Sequence, residues 1–416
     1  MSVPPNRIFA LLLAAFLIAS AARPPYGDRA TGRIAGTAWP YLPGSLLPLT
    51  VSGFGPPYRA VLLGPGTLDA NDFYEVPQSA TGGAALLVAG NAAGLAAKRL
   101  RIAVPPPPSR ALLVVASYDD GLVVHDARTF AVLGVLATGG SPSDAVADVH
   151  GRIAAPNTQG DTLTVATLSP WSVDRIRGVP VGDEVAIDAS SGAIFVTDRD
   201  FSGGGALTRV AADGAVTHVS TGETAEGLAI DERRQTVYVA NANDGTVAAI
   251  DARSMRVLHR FFVVDRIFSL ALSPDGTRLY GISNQSAGSL FAAAGSAVAV
   301  AVTAGRPHVV ARSGDLAFPL GAVLDSKTAT LFVTDESLGT VDVLDARTLR
   351  AKHEALHTCS TPWKPSLDSM SGRLYVPCAS SNAIDVIDTH TLRRVVGAPF
   401  RTGSYPLAVA IWSPHK

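Results

Sequence analysis

The sequence carries little charge. Asp, Glu, Lys and Arg make up 17% of its 416 residues, and the formal net charge is −1. The two signs are scattered, so the chain has neither the basic stripe by which proteins bind nucleic acid nor a polybasic patch for a membrane surface. We therefore expect no nucleic-acid partner.

The motifs of the common enzyme classes are also lacking. The glycine pairs lie between strands and no helix follows them, so they do not form a phosphate-binding loop. No Gly-x-Ser-x-Gly occurs in the strand–turn–helix context that a hydrolase nucleophile requires. The nine histidines show no repeated ligand spacing. No catalytic residue is predicted, although the members of a triad need be neighbours only in space.

Turn-forming and apolar residues are abundant instead. Apolar residues make up 47% of the sequence, which also contains 39 Gly and 28 Pro. Short β-branched runs separated by turn formers are typical of a soluble all-β protein and not of a disordered one. The chain is long enough for two or three domains with a large core.

An apolar run at residues 8–18 has the features of an export signal. Arg7 precedes it, and Ala19-Ser20-Ala21 follows as an A-x-A cleavage site. The run is shorter than the roughly 20 residues of a transmembrane helix. We predict a signal peptide at residues 1–21, a periplasmic or extracellular location, and no membrane span in the mature chain. An uncleaved signal anchor is the alternative.

The next part of the chain predicts a small domain and a linker. Residues 22–45 are rich in Pro, Gly and Arg and are expected to form a loose lead-in. Residues 46–104 predict a small immunoglobulin-like β-sandwich, because short apolar runs alternate there with Gly and Pro turns. The candidate strands are residues 49–52, 59–63, 73–76, 84–89 and 99–104. Four consecutive prolines then predict a stiff linker at 105–109, before a larger domain at 110–416.

Residues 238–259 show the unit from which the larger domain is built. Three apolar runs, VYVAN, TVAAID and MRVLH, are separated by NDG and DARS, which favour tight turns. Such a unit cannot bury both of its faces alone, so it implies many copies. Copies of the second turn begin at Asp126, Asp251, Asp345 and Asp388, separated in order by three, two and one units. With degenerate copies between them, the chain contains seven units of the size of a four-stranded blade.

Each unit also has an innermost strand, and most of these strands end in an aspartate. These acids recur in phase with the repeat and precede turns, so we predict that they cap the turns, as do the four acids above. They are Asp148, Asp188, Asp231, Asp325 and Asp368.

The two ends of the repeat region complement each other. The last innermost strand, residues 409–412, has no outer strands after it, and the first outer run, residues 111–116, has no partner before it. Pairing the two would close the ring and remove the exposed sheet edges. The predicted fold is therefore an all-β, seven-bladed β-propeller closed by the C-terminal strand.

Several units resemble a known repeat. VYVANANDGTVAAIDARSMRVL, LFVTDESLGTVDVLDARTLR and RLYVPCASSNAIDVIDTHTLRRVV are similar to the YVTN repeat of bacterial and archaeal propellers, including YncE-like periplasmic proteins. The resemblance extends over about residues 110–415. It implies the propeller fold but no single activity, because that group includes surface-layer proteins, periplasmic binding proteins and relatives in dehydrogenase assemblies.

Propellers usually bind ligands at the face formed by the loops that lead into the innermost strands. The residue two positions before each strand's first apolar residue predicts that face: Ser143, Asp183, Glu226, Phe268, Leu320, Trp363 and Leu407. The early units contribute polar or acidic groups, and the later units contribute apolar or aromatic ones.

Asp144 and Glu184 follow two of these positions directly, so with Asp183 and Glu226 up to four carboxylates could converge near the axis. Hard cations such as Ca²⁺ bind several oxygen ligands of this kind. A divalent cation such as calcium is therefore the one cofactor that the sequence suggests. The alternative is that these acids are solvated or accept hydrogen bonds from neighbouring backbone N–H groups.

Cys359 and Cys378 are the two cysteines, and both lie in one unit at the same predicted face. In an exported protein this predicts a disulfide, which would close a loop of about twenty residues and contribute roughly 3 kcal/mol. The alternative is a copper or zinc site formed by His357 and thiolate.

A strongly marked repeat without an assembled catalytic motif predicts an exported, non-catalytic binding or scaffold protein. Its partner would be a protein, a cell-envelope polymer or a small ligand, and we expect a monomer. One alternative is a metal-dependent, lactonase-like propeller hydrolase or lyase whose cation is held by Asp183, Glu226 and their neighbours. Another, implied by the resemblance alone, is an accessory subunit of a periplasmic dehydrogenase.

Overall fold

The computed structural model describes residues 30–414, except 32, 54–56, 92, 200–203, 285–294 and 304–305. The predicted signal peptide at 1–21 lies outside the described residues. β-strands dominate the described part, where the one helical element is the 3₁₀ turn Ala379–Ser381, so the all-β prediction is confirmed. Within this part, no helix has the length and hydropathy needed to cross a membrane.

The chain divides into two compact units. The first comprises the described residues up to Pro106 together with Leu133–Gly139, and the second comprises Pro107–Val132 and the residues from Gly140 onward. The strands of the first unit are Ala30–Thr31, Arg33–Ile34, Leu46–Pro48, Val51–Ser52, Arg59–Leu63, Thr67–Leu68, Phe73–Glu75, Gly83–Gly90 and Gly94–Ile102. A further strand, Val132–Leu136, runs into the 133–139 segment.

The main sheet of the first unit is centred on one long hairpin. Gly83–Gly90 pairs antiparallel with Gly94–Ile102 on one side and with Arg59–Leu63 on the other. Burial alternates along the first of these strands, as it does in a strand with one face on a core. Tyr74 is fully buried in this unit, where the Leu42 N–H donates to the Val135 carbonyl at 2.7 Å.

The second unit is built from antiparallel sheets that we number 1 to 7. Sheet 1 contains Leu112–Ser117, Gly121–Asp126 and Pro406–Trp412. Sheet 2 contains Val146–Ala147, Arg152–Pro156, Thr162–Leu168 and Trp171–Arg177. Sheet 3 contains Gly182–Ile187, Ile194–Arg199, Gly205–Val210 and Val216–Gly222. Sheet 4 contains Ala225–Asp231, Thr236–Asn241, Thr246–Asp251 and Val257–Phe262. Those of sheet 5 are Ile267–Leu272, Arg278–Ser283, Ser296–Ala301 and His308–Arg312, and those of sheet 6 are Pro319–Asp325, Thr330–Asp335, Thr340–Asp345 and Leu356–His357. Sheet 7 contains Ser366–Asp368, Arg373–Cys378, Ala383–Asp388, Arg393–Arg394 and Phe400–Arg401.

The first strands of sheets 2 to 7 contact one another in chain order. Pro406–Trp412 contacts the first strand of sheet 7 and also that of sheet 2. It pairs antiparallel with Leu112–Ser117, with Val409 opposite Val115. The predicted pairing of the two ends of the repeat region is therefore confirmed.

The core of the second unit lies between neighbouring sheets. Phe195 and Leu207 of sheet 3, for example, pack with Val239 and Ile250 of sheet 4. Every residue of Thr236–Asn241 is buried, because this strand is covered on both faces. Burial on both faces explains why runs such as VYVAN are continuously apolar rather than alternating.

The predicted turn caps are confirmed. In each case an aspartate carboxylate oxygen accepts the backbone N–H of a residue two or three positions later, at 2.9–3.2 Å. The capping residues are Asp126, Asp148, Asp188, Asp231, Asp251, Asp325, Asp345, Asp368 and Asp388. These acids hold the turns of the repeat and are not available as ligands.

Candidate ligand-binding site

A cavity of about 460 Å³ opens where the first strands of sheets 2 to 7 begin. Its acidic lining residues are Asp144, Asp183, Glu184, Glu226 and Glu336, its basic ones are Arg199, Arg266 and Lys364, and its apolar ones are Phe268, Phe318, Leu320 and Trp363. Ser143 and Asn284 complete the described lining. The volume is within the range of small-molecule sites, and both polar and apolar groups face it.

β-Bulges present several of these side chains to the cavity. The pairing of the first and second strands shifts in register between Gly182 and Val185, and again between Ala225 and Leu228. Sheets 5 and 6 carry equivalent shifts at Phe268 and Leu320. A bulge turns a side chain away from the alternation of its strand, which is why bulges are common next to functional sites.

The structure brings together most of the residues predicted for the face. Asp144, Asp183, Glu184 and Glu226 all line the cavity, as do Ser143, Phe268, Leu320 and Trp363. Leu407 is buried and does not belong to the described lining. Sheets 2 to 4 supply four acids to the lining, and sheets 6 and 7 supply Phe318, Leu320 and Trp363 together with the charged Glu336 and Lys364.

Lys364 neutralises two of the acids. Its Nζ lies 2.7 Å from Asp144 Oδ2 and 3.2 Å from Glu184 Oε1. Burial alone would lower the pKa of Lys364, but the two carboxylates outweigh it and raise that pKa above its ordinary value. Burial raises the pKa of Glu184 despite the Lys364 charge, and Asp144 adds to the rise.

The same two acids also accept backbone hydrogen bonds from the next sheet. Val185 N–H donates to Asp144 Oδ2 at 3.1 Å, and Leu228 N–H donates to Glu184 Oε2 at 2.8 Å. Each carboxylate therefore links neighbouring innermost strands. This is the backbone-bonding role that the sequence left open as the alternative to metal binding.

Arg199 forms ion pairs with the other two acids, Asp183 and Glu226. Its Nη1 lies 3.4 Å from Asp183 Oδ1, and its Nε lies 3.2 Å from Glu226 Oε1. Burial raises the pKa of Glu226 to about 8, opposed by Arg199 and Arg266 and reinforced by the negative charges of Asp183 and Glu184. Burial likewise raises the pKa of Asp183.

The predicted cation would have to compete with these side chains. Lys364 and Arg199 already place positive charge between the carboxylates at contact distance. Among the described residues, no group of three or more His, Cys, Asp or Glu side chains has a geometry suited to a metal ion.

The apolar wall continues beyond the cavity as a row of aromatic rings. Trp363 lies with its ring centroid 6.4 Å from that of Tyr405, which is 6.5 Å from Tyr118. On the other side, the Arg266 guanidinium lies over the Phe268 ring at 5.4 Å. The wall therefore offers flat surfaces against which an apolar group can pack.

A disulfide holds the loop that carries Trp363 and Lys364. Cys359 and Cys378 are bonded to each other, as the sequence predicts. The backbone N–H of Trp363 also donates to the backbone carbonyl of Pro377 at 2.8 Å. With both sulfurs in the bond, neither is available as a thiolate for the alternative metal site at His357.

Sequence reasoning missed six lining residues, although each has a position in the repeat. Arg199, Asn284 and Glu336 lie at or directly after the end of the second strand of sheets 3, 5 and 6. Arg266 and Phe318 precede the bulge residues Phe268 and Leu320 by two positions, and Lys364 occupies the register of Asp144 and Glu184. Extending the alignment of the units to these positions would have found them.

No protein-family model matches the chain, and no curated protein matches it. Solved structures do. A functionally unknown protein from Desulfotomaculum acetoxidans is 16% identical with a TM-score of 0.60, over 74% of this chain and 100% of that one.

Two further solved structures are similar to the chain. A virginiamycin B lyase from Staphylococcus aureus is 9% identical with a TM-score of 0.52, over 64% of this chain and 87% of that one. The Cps50 (Swd1) β-propeller domain of Myceliophteria thermophila is 9% identical with a TM-score of 0.55, over 67% of this chain and 97% of that one. At such identities the likeness concerns the fold alone, and the chain has the fold of a β-propeller.

Proposed function

We propose that this chain is an exported, non-catalytic binding protein whose ligand site is the cavity of the second unit. The observation that carries the proposal is the cavity itself, which combines buried charged groups on sheets 2 to 5 with an aromatic wall at Phe318 and Trp363. Small-molecule sites combine apolar walls with placed polar groups that fix the ligand's orientation, and this cavity offers both, with the larger share polar or charged. The ligand is a small molecule, or the end of a larger one, with a polar head and an apolar body.

The architecture that we propose for this role is a seven-bladed β-propeller related to the YVTN group, with sheets 1 to 7 as its blades. The successive contacts of the innermost strands support a ring closed by the C-terminal strand. Ahead of it we propose a signal peptide at 1–21, a lead-in at 22–45, an immunoglobulin-like sandwich at 46–104 and a linker at 105–109. The disulfide supports an oxidising compartment outside the cytoplasm.

The competing candidate is a metal-dependent hydrolase or lyase that uses the same carboxylates. It would need a divalent cation bound by Asp183, Glu226 and their neighbours. Because Lys364 and Arg199 contact those acids directly, the cation would have to displace an ammonium or a guanidinium group. The charge arrangement therefore favours binding over metal-assisted chemistry.

Ligand retention tests the proposal. The purified protein is incubated with an envelope extract of its source organism, separated from unbound material and denatured, and the released small molecules are identified by mass spectrometry. We expect the wild type to retain at least one compound in stoichiometric amount, unchanged in structure and unaffected by a chelator.

Two cavity variants and one control give the test its specificity. Trp363→Ala removes one ring of the aromatic wall, and Glu226→Gln replaces a buried carboxyl group by an amide at nearly constant volume, so both are expected to lose the compound. Met370→Ala changes an exposed side chain that does not line the cavity and should retain it. Equal retention by all four proteins would refute the cavity as the site, and chelator-sensitive turnover of the compound would favour the enzyme.

A further inference from the structure

Three polar side chains in the cavity have hydrogen-bonding capacity that no described residue uses. Glu226 is 5% exposed, and its carboxylate has an ion-pair partner in Arg199 but accepts no hydrogen bond within the described chain. Asn284 is 4% exposed, and its side-chain amide has no hydrogen-bond partner there either. The Arg266 Nε is buried and equally without a partner. Buried polar groups are normally paired, so these three point to a ligand.

The three groups belong to two adjoining sheets. The innermost strands of sheets 4 and 5 approach so closely that a Cβ on Gly227 would lie 2.7 Å from the Phe268 carbonyl oxygen. Asn284 N–H donates to the Arg266 carbonyl at 3.2 Å. One carboxylate, one guanidinium and one amide therefore line the cavity from two adjoining sheets, and Phe318 and Trp363 line it from sheets 6 and 7.

Building on the proposed function, we infer that the ligand is a zwitterion with an apolar body, such as an apolar amino acid or a short peptide. Its ammonium donates to a Glu226 carboxyl oxygen and to the Asn284 amide oxygen, while its carboxylate accepts from Arg266 and the Asn284 amide nitrogen. The apolar body packs against Trp363 and Leu320. A purely cationic ligand would offer Arg266 no acceptor, and a purely anionic one would offer the Glu226 carboxyl group no donor.

Titration calorimetry with three probes tests the inference. L-Phenylalanine carries both charges, N-acetyl-L-phenylalanine lacks the ammonium, and L-phenylalaninamide lacks the carboxylate. We expect L-phenylalanine to bind at least about tenfold more tightly than either capped probe, since each cap removes one of the ligand's two charged contacts with the cavity. Equal affinity of the three probes, tighter binding of a capped probe, or no binding of any of them would overturn the inference.

Two variants separate the charge contacts from a general loss of structure. Glu226→Gln should weaken L-phenylalanine and its amide, which both carry the ammonium, and leave the N-acetyl probe unchanged. Arg266→Met should weaken L-phenylalanine and the N-acetyl probe and leave the amide unchanged. A variant that weakens all three probes equally contradicts the assigned contact.

Different results would refute the zwitterion inference and the proposed function. If the retention experiment yields a compound that depends on Trp363 and lacks one of the two charges, the zwitterion is wrong and the binding site stands. If no retained compound depends on Trp363 or Glu226, the proposed function itself is wrong, and the zwitterion falls with it.

Discussion

At the scale of single residues, the cavity is a balance between five acids and three bases in a largely buried setting. Lys364 and Arg199 each bridge two carboxylates that belong to neighbouring sheets. Burial weakens the hydration of all these charges, so each depends on its neighbours more than a surface group does. Single substitutions here should therefore have large and specific effects.

Glu226 is expected to make stability depend on pH. Its pKa is about 8 in the folded protein against an ordinary value of 4.5, so between these values the folded state binds a proton that the unfolded state has lost. This contribution to stability is complete below about pH 4.5 and is lost as the pH rises through 8. Glu226→Gln should flatten the fall of Tm across this window, as measured by thermal unfolding at several pH values; a parallel curve for the variant would contradict the burial effect.

Lys364→Met should be strongly destabilising. It leaves Asp144, 2% exposed, and Glu184 without their shared counter-ion. Removing one partner of a buried ion pair costs about 3–5 kcal/mol, measurable as a lower midpoint in urea unfolding. Lys352→Met is the matched control, because within the described chain the Lys352 ammonium donates hydrogen bonds to Thr328 and Thr330 and not to a carboxylate. Adding Asp144→Asn to Lys364→Met should recover part of the loss, and equal effects of the two lysine variants would refute the pairing.

At the scale of elements, the turns stabilise the repeat and the bulges orient side chains toward the cavity. The aspartates that recur at strand ends hold the turns by accepting backbone N–H groups, as Asp345 does for Arg347 and Thr348. The bulges at the start of the innermost strands turn residues such as Glu226 and Phe268 to the cavity. The capping aspartates, which recur in phase with the repeat, therefore stabilise it. The bulge residues, where the strand pairing is locally interrupted, form the site.

The disulfide of sheet 7 is expected to matter for both stability and binding. Cys359 lies four residues before Trp363, so the bond restrains the loop that brings Trp363 and Lys364 to the cavity. The Cys359→Ala, Cys378→Ala variant should lose about 3 kcal/mol of unfolding free energy. Thiol labelling of the exported protein under denaturing, non-reducing conditions should find no free thiol in the wild type, and two reactive thiols would contradict the bond.

The strands and turns of the second unit were largely predictable, because each feature recurs in several units and a weak signal in one unit is supported by the others. Strand positions, turn caps and the pairing of residues 409–412 with 111–116 all followed from phase alone. The partners of the charged side chains could not be predicted in this way. Nothing in the local sequence of Lys364 indicates that it reaches Asp144, 220 residues away, because that contact crosses between sheets. The sequence suggested the acids as metal ligands, with backbone bonding as the alternative, and indicated neither Lys364 on a distant unit nor Arg199 on sheet 3 as their counter-ions.

At the scale of the whole molecule, the second unit converts a repeated strand pattern into one irregular cavity. Sheets 2 to 7 supply residues from equivalent backbone positions, and variation at those positions gives acids on sheets 2 to 4 and aromatic rings on sheets 5 to 7. A repeat scaffold can change its ligand in this way without changing its fold.

The central claim is that this cavity holds the ligand, and a crystal structure of the protein with the compound it retains tests the claim most directly. The account predicts the compound inside the cavity, with its apolar part against Trp363 and polar atoms within hydrogen-bond distance of Glu226 or Asn284. A compound bound at any other surface while the cavity stays unoccupied would contradict it.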